Sequence, residues 1–579
     1  MSRAKRIRIE EDQQVSADDV EEKMDLINSL DNDSLAQIFM LLPISERITM
    51  SEVCSKWKEA CQLAWHDIKK YKCSDAIVRG YEKCILTQSY VEEVLFNCGI
   101  YLKELILSKV CNSSILPIVA EHCKNLTTLE FEIIGVHTYH TDHFVEAFTQ
   151  LEQLKVVKIH IFGDAFQFQI LNSLPRDINE IHLFFGPRKQ AKALGMDPEP
   201  SCTILSACEV DPVSPSLFSL ERFTNLRSLT IRSYDITDII QEISKKTTLV
   251  YLDLQECETK NEIFTFNQLS NLEHLNIKDV LFKNSQSQNS PNLLSGIFNA
   301  CKNLKHLDAP GFLVDLAKIE MGNWVNLRNL VYLNICWRAS DAIIKKIIKY
   351  CNNLEFINAD TLNGESTVKL TKLENFKYLD FDWSNNINKE EMVAILNNCK
   401  KIKRLVIFGG DRVEASIYND LSKLQYIENL NLSFCDKVGD SAIIAIAKNC
   451  KLLKSLNIAV CPSITSTAFI ALTSLKNLKE LDVAVNDNVE DNFIVKLRGI
   501  KSLSCSDCGE LTDAGVIQFI KNNPDLEFLD IWDTQITTDT IIAAEEVSKN
   551  RTNDTFLSIR TNDPDLKRAL IKSQWLTLD

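Results

Sequence analysis

Nine histidines and 19 cysteines are the residues of this 579-residue chain best suited to bind a metal or do covalent chemistry. Cys505 and Cys508 have the spacing of half a zinc site or of a dithiol redox pair. No second pair stands at a separation that would complete a tetrahedral site. His137, His140 and His143 recur every third residue beside Asp142, which would let imidazoles converge, but they fall in a polar turn and read as surface histidines. No Gly-x-x-x-x-Gly-Lys-Ser/Thr loop, Gly-x-Ser-x-Gly elbow or kinase-like set of motifs occurs, and only 16 glycines are available for phosphate-cradling loops. No thiol stands out with a base beside it. The sequence therefore predicts no catalytic residue, no metal and no cofactor. It reads as a binder.

The cysteines instead follow a register. Cys123, Cys301, Cys351, Cys399 and Cys450 each lie six residues before the first apolar position of a Leu-x-Leu-like pair, and Cys257, Cys435, Cys461 and Cys508 each lie five residues after one. Such pairs begin at Leu105, Leu129, Val157, Ile181, Leu229, Leu252, Leu275, Leu307, Leu333, Ile357, Leu379, Leu405, Leu430, Leu456, Leu481, Leu503 and Leu529. With a degenerate copy near Leu205, the spacing averages about 25 residues, inside the window of leucine-rich repeats. Alternating apolar residues specify a short strand with one face inward, and runs such as Ser441 to Lys448 supply a following helix. No single repeat buries its own apolar side, so neighbours must stack into a solenoid. Asp238 and Asp513 (each in an Ile/Leu-Thr-Asp run), Asp440 and Asp491 are placed to cap the coming helix. Pro187, Pro198, Pro200, Pro212 and Pro215 mark residues 186–222 as a loop replacing most of one repeat.

Ahead of the repeats, residues 1–23 are charged and expected to be disordered. Their bases Arg3, Lys5, Arg6 and Arg8 are either an import signal or a solvated start. Leu35, Ile38, Phe39 and Leu42 then form one helix face opened by Asp33-Ser34 and stopped by Pro43. Ile48, Val53, Trp57, Ala60 and Trp65 continue the apolar series. Forty-odd residues make a poor independent core, so this unit packs on a partner or on the segment C-terminal to it.

The stretch from Leu30 to Pro43, continuing through Val53-Cys54-Ser55-Lys56-Trp57 to Trp65, resembles an F-box, with Asp31 and Glu46-Arg47 departing from the family's usual proline and Asp-Leu. The repeats are similar to the cysteine-containing class of leucine-rich repeats, best seen at Asn429–Cys435 and Ser455–Cys461. The resemblance implies an α/β solenoid: an all-α F-box at 24–72, a helical linker at 73–100 and a leucine-rich-repeat horseshoe at 101–579, of about 18 repeats, with parallel strands inside and helices outside. It also implies that Leu35, Ile38, Phe39, Leu42, Pro43, Val53 and Trp57 dock on a Skp-type adaptor. The chain would then be the substrate-recognition subunit of a cullin-based (SCF-type) ubiquitin ligase and would itself do no chemistry. The alternative is an interaction scaffold that joins no ligase, which the departures at Asp31 and Arg47 favour.

A net charge of −15 spread along the chain disfavours nucleic acid. No apolar run approaches 18 residues, so no membrane span is expected. With no secretory signal at the start, the expectation is a cytoplasmic and/or nuclear protein with reduced thiols. On the strand face, the residues just before the apolar pairs read Tyr251, His274, His306, Tyr332, Phe356 and Tyr378, and the intervening residues read Asp253, Asn276, Asp308, Asn334, Asn358 and Asp380. The Asn/Asp row continues at Asn431, Asn457, Asp482 and Asp530, whereas the ring row stops at Tyr378. Two readings stand for the rings: a strip that binds the target protein, with Asp253, Asp308 and Asp380 drawing a basic or mixed segment, or an aromatic ladder that stabilises strand pairs.

Overall fold

The computed structural model describes residues 27, 29–73, 76–79, 82–134, 139–162, 166–186, 219–260, 266–282, 291–310, 319–334, 341–358, 364–381, 387–410, 412–549, 556–562 and 576–578. The basic start, His137, the degenerate copy near Leu205 and the five clustered prolines lie outside them. The chain divides into two compact units, 1–226 and 227–579.

The first unit opens with three helices: α1 (Asn32–Phe39), α2 (Ile44–Ser51) and α3 (Ser55–Ala64). Asp31, not Asp33-Ser34, is the N-cap of α1, its Oδ1 accepting from the Ser34 N–H at 2.7 Å. A carboxylate there satisfies one of the four orphan donors of the first turn. Leu35, Ala36 and Phe39 pack against Ala60, Cys61 and Ala64, with Leu42, Met50 and Trp57 closing the rim. The small residues on α3 let the two helices approach closely. Beyond them, the strand Lys70–Lys72 pairs in parallel with Glu104–Ile106, after which come Thr128–Ile134, Val156–Phe162 and Glu180–Phe185 in order. The strand series therefore starts inside the stretch assigned to the F-box. Among the described residues of the linker, Gln88–Cys98 is α-helical and runs into a 3-10 turn at Gly99–Tyr101, while Ala76–Arg79 and Glu82–Ile85 form an antiparallel hairpin.

The second unit is a stack of parallel strands, from Ser228–Arg232 through Tyr251–Asp253 and onward to Phe528–Asp530, Leu557–Arg560 and Leu576–Leu578. Each apolar position read from the sequence faces its counterpart in the next repeat: Leu252 opposite Leu275, Leu307 opposite Leu333, Leu481 opposite Leu503. All of them are buried. The register holds because a one-residue slip would turn every leucine out of the core.

Between strand and helix, the thiols do more than fill space. Cys257, Cys435, Cys461 and Cys508 donate to the carbonyls of Ile231, Ile407, Leu432 and Val483 in the preceding repeat, at 3.0, 3.5, 3.2 and 3.4 Å. Burial pushes the Cys257 and Cys461 thiols up to about 12, so they stay protonated donors. Four residues after eight of the core positions in the second unit the chain turns left-handed: Ser233, Glu256, Asp279, Phe434, Val460, Val485, Asp507 and Asp533 all have φ between 54° and 60°. The turn aims each amide at the next repeat, as Val460 N donates to Ala484 O and Val485 N to Ser506 O. Three of the four aspartates expected to cap their own helices reach forward instead. Asp440 accepts from Thr465, Asp491 from Thr512 and Asp513 from Thr537, each through both the amide and the hydroxyl. Each of these aspartates is the first residue inside its helix, one place past the N-cap (Gly439, Glu490 and Thr512), and its carboxylate meets the threonine of the stacked next repeat.

The left-handed turn sets up a contrast in stability. A residue with a Cβ costs about 1–2 kcal/mol there, while glycine offsets that relief by about 0.5–1 kcal/mol through unfolded-state entropy. Val485→Gly is expected to change unfolding free energy by less than about 0.5 kcal/mol or to stabilise, although it removes an apolar side chain. Leu481→Ala, four residues earlier and buried, should cost about 2–5 kcal/mol. Denaturant unfolding of both variants checks the contrast.

Candidate functional site

The seven residues expected to dock on an adaptor split into two groups. Leu35 and Phe39 are interior, Leu42 and Trp57 are half-buried against the same cluster, and the Phe39 and Trp57 rings sit 5.4 Å apart. They hold the three helices together, and Leu35 and Phe39 are withdrawn from the surface. Ile38, Val53 and Pro43 are exposed, Ile38 and Val53 at 46% and 56%. The sequence reading missed Leu41, exposed at 85%, whose amide bonds the Ile38 carbonyl at 3.1 Å. The missed signal is an unbroken Met-Leu-Leu run at the helix end, longer than one buried stripe needs.

Arg47 is 3% exposed on α2. Its Nε donates to Leu42 O at 2.9 Å, Nη1 to Ala64 O at 2.7 Å and Nη2 to Met40 O at 2.6 Å. Both Nη atoms also reach the Asp67 carboxylate, at 2.6 and 2.8 Å. One fork thus closes carbonyls after α1 and at the end of α3. Burial opposes ionisation of Asp67, but the paired guanidinium outweighs it and holds the carboxyl below its usual range.

In the second unit, the rings form a column. Centroids are 4.1 Å apart for Tyr251–His274, 4.0 Å for His274–His306, 3.9 Å for His306–Tyr332 and 4.3 Å for Tyr332–Phe356, nearly parallel throughout. Phe356–Tyr378 opens to 6.4 Å and tilts. The ring faces are occupied by their neighbours, which leaves edges to meet a partner. The acidic row is different. Asp253 is fully buried, gripped by Arg232 at 2.6 and 3.0 Å, and its Oδ1 accepts from Gln255 N. It cannot draw a target, and that expectation is corrected. Asp308 accepts from Asn334 Nδ2 at 2.9 Å and stays half-buried. The side chain of Asp380 lies outside the described residues. Asn276, Asn431, Asn457, Asp482 and Asp530 each accept from the amide two residues on, so the row builds the turns of these repeats.

Burial lowers the His274 imidazole to about 4, with Arg232 adding to it, and lowers His306 to about 3, with His274 adding to it. Both folded values lie below the unfolded value of about 6.5, so the unfolded chain takes up protons first. Stability is complete above pH ~6.5 and falls as the pH drops from there toward ~4. Replacing both with Phe should flatten the decline in melting temperature between pH 7 and pH 5. Equal slopes in the two proteins would refute the assignment.

The remaining clusters are bonded within the repeats. Cys505 Sγ donates to Asp530 O at 3.3 Å in the next repeat while Cys508 Sγ turns to the preceding one. Ser113 Oγ lies 3.0 Å from His143 Nδ1 and accepts from the His140 amide at 3.0 Å.

The first unit's helices match a known domain. Residues 27–66 fit the model of the F-box domain. They form an F-box. Over longer spans the chain is similar to Antagonist of mitotic exit network protein 1 of Saccharomyces cerevisiae, 30% identical over 184 residues, and to F-box/LRR-repeat protein 4 of Bos taurus, 27% identical over 169 residues. These alignments take in 30% and 27% of this chain, and the chain spans 33% and 27% of the lengths of the two relatives. Among solved structures, an internalin from Listeria monocytogenes aligns with 65% of the chain and 88% of its own, at 14% identity and a TM-score of 0.28. The two departures within the F-box now have physical roles: Asp31 caps α1 and Arg47 ties α1 and α3 to Asp67.

Proposed function

We propose that this chain is the substrate-recognition subunit of a cullin-based ubiquitin ligase, with the F-box on a Skp-type adaptor and the repeats holding a target protein. The observation that supports it most is that a three-helix F-box with a small core leaves Ile38, Leu41, Pro43 and Val53 exposed around it. Such a surface is costly in water and suited to a partner. Parallel strands in a leucine-rich stack present an extended face for the target, and the ring column from Tyr251 to Tyr378 is a rigid, weakly polar strip on it. In this reading the chain contributes no catalytic group and takes no cofactor. It raises the local concentration of an acceptor lysine, and other subunits do the chemistry. The scaffold alternative rested on Asp31 and Arg47, both of which serve the F-box fold itself.

Affinity capture with the full chain and with a form lacking 27–66 tests it. Adaptor and cullin should be lost from the shortened form while target proteins remain. Retention of the adaptor would overturn the docking site.

A further inference from the structure

The column that carries the rings runs on past Tyr378 as Arg404, Asn429, Ser455, Glu480, Ser502, Phe528 and Ser558, strand beside strand. The neighbouring column runs Asn457, Asp482, Ser504, Asp530 and Arg560. Where rings stood in the earlier repeats, serines stand at 455 and 502, with Ser504 beside them in the next column. Their short side chains leave a hollow of about 340 Å³, floored by Leu456 and Leu481 and walled by Phe528. That is the lower end of the range for a ligand site.

Three carboxylates line the hollow, from Glu480, Asp482 and Asp530, against one cation, Arg560. Arg560 is held at the side: Nη1 meets Asp530 Oδ2 at 3.4 Å, and its guanidinium lies 5.0 Å over the Trp532 ring. Asp530 is almost wholly buried, and Asp482 holds Asn457 Nδ2 at 2.9 Å while Glu480 is exposed. Burial, the largest influence, raises the Asp482 carboxyl above its ordinary range, and the Asp530 charge adds to it. A cation beside Asp482 would offset its burial and the neighbouring charge. Among the described residues no group of His, Cys, Asp and Glu is arranged to hold a metal ion, and the 340 Å³ of space suits the larger head of an organic cation.

The same stretch carries a second oddity. At the left-handed position, earlier repeats use Ser233, Glu256, Asp279 or Gly409 and the repeats on the far side of the hollow use Asp507 and Asp533, but the three between use Phe434, Val460 and Val485. Phe434 is 41% exposed and Val485 46%, and Phe434 packs on Phe408 at 4.7 Å. Bulky apolar side chains are thus displayed on the repeats that form and adjoin the hollow.

We propose that this hollow receives a lysine or arginine side chain of an extended target segment, whose apolar neighbours rest on Phe434 and Val485. The proposal rests on the reading of the repeats as the target-binding part, and names the chemistry that the target must carry. An extended peptide turns alternate side chains the same way, so one cation per hollow with apolar flanks is the pattern it selects.

The test uses the full chain and two probes, N-acetyl-argininamide and its neutral isostere N-acetyl-citrullinamide, titrated by protein-observed NMR. The arginine probe should bind about tenfold or more tightly than the citrulline probe and weaken as salt is raised. Glu480→Gln and Ser502→Arg, the second filling the hollow with its own cation, should each weaken it by about fivefold or more with adaptor capture unchanged. Equal binding of the two probes, no binding of either, or indifference to both variants overturns the cation site. Adaptor capture and target capture by the same preparations report separately on the ligase reading, so failure of one is distinguishable from failure of the other.

Discussion

Arg47→Ala is expected to unfold the F-box while the second unit melts as in the wild type. The substitution strips partners from the carbonyls of Met40, Leu42 and Ala64 and leaves the Asp67 carboxylate without its counter-ion. Asp67 faces water and can regain it, so the cost comes chiefly from the backbone carbonyls, about 1–3 kcal/mol for each buried acceptor left unsatisfied. The core it supports is a cluster of six buried residues, four of them alanine or cysteine, so that loss is comparable to the whole stability expected of so small a unit. Arg47→Lys should rescue little: an ammonium lacks the planar fork that serves three carbonyls and both carboxylate oxygens at once. Hydrogen exchange over 27–66 reads the result. Unchanged protection in Arg47→Ala would show that the hub is dispensable.

Ile38→Asp combined with Leu41→Asp should leave that protection intact and weaken adaptor binding by about a hundredfold or more. Both side chains already face water, so charging them costs the fold little. In a desolvated interface, two carboxylates would replace two apolar anchors, and each would be buried unpaired. Phe39→Ala and Trp57→Ala make poorer probes. Their rings pack against each other around the F-box core, so lost binding would be confounded with lost folding, at about 3–5 kcal/mol for a buried aromatic. Fluorescence anisotropy with a labelled Skp-type adaptor measures the effect. Wild-type affinity in the double variant would move the docking surface elsewhere.

The strand register was open to sequence reading, because a Leu-x-Leu pair must face inward and its recurrence leaves one way to stack. Apart from the degenerate copy near Leu205, every apolar position named from Leu105 to Leu529 lies in a described strand, and within each unit it stands opposite its counterpart in the adjoining repeat. The strand at Tyr71 was not visible, since a single apolar residue between Lys70 and Lys72 makes no pair. The strands at Leu557 and Leu576 do carry apolar pairs, Leu557/Ile559 and Leu576/Leu578, and were overlooked beyond the last regular repeat. In the F-box, helical spacing placed Ile38 on one stripe with Leu35 and Phe39. It could not say that three short helices cover only the centre of that stripe and leave its flank exposed. Long-range bonds were invisible for a general reason. Asp440, Asp491 and Asp513 obey the local rule for helix caps, and the competing threonine donors exist only once the next repeat has stacked. Asp253 was hidden for the same reason: it has an arginine from the neighbouring strand that no local pattern reveals.

The most direct test of the ligase reading is the mass of the assembly formed when the purified full chain is mixed with a Skp-type adaptor and a cullin at micromolar concentration, read by native mass spectrometry. The account predicts a stoichiometric ternary complex that the Ile38→Asp, Leu41→Asp chain fails to form while keeping its F-box folded. A wild-type chain that stays apart from the adaptor under those conditions, with 27–66 protected from exchange, would contradict it.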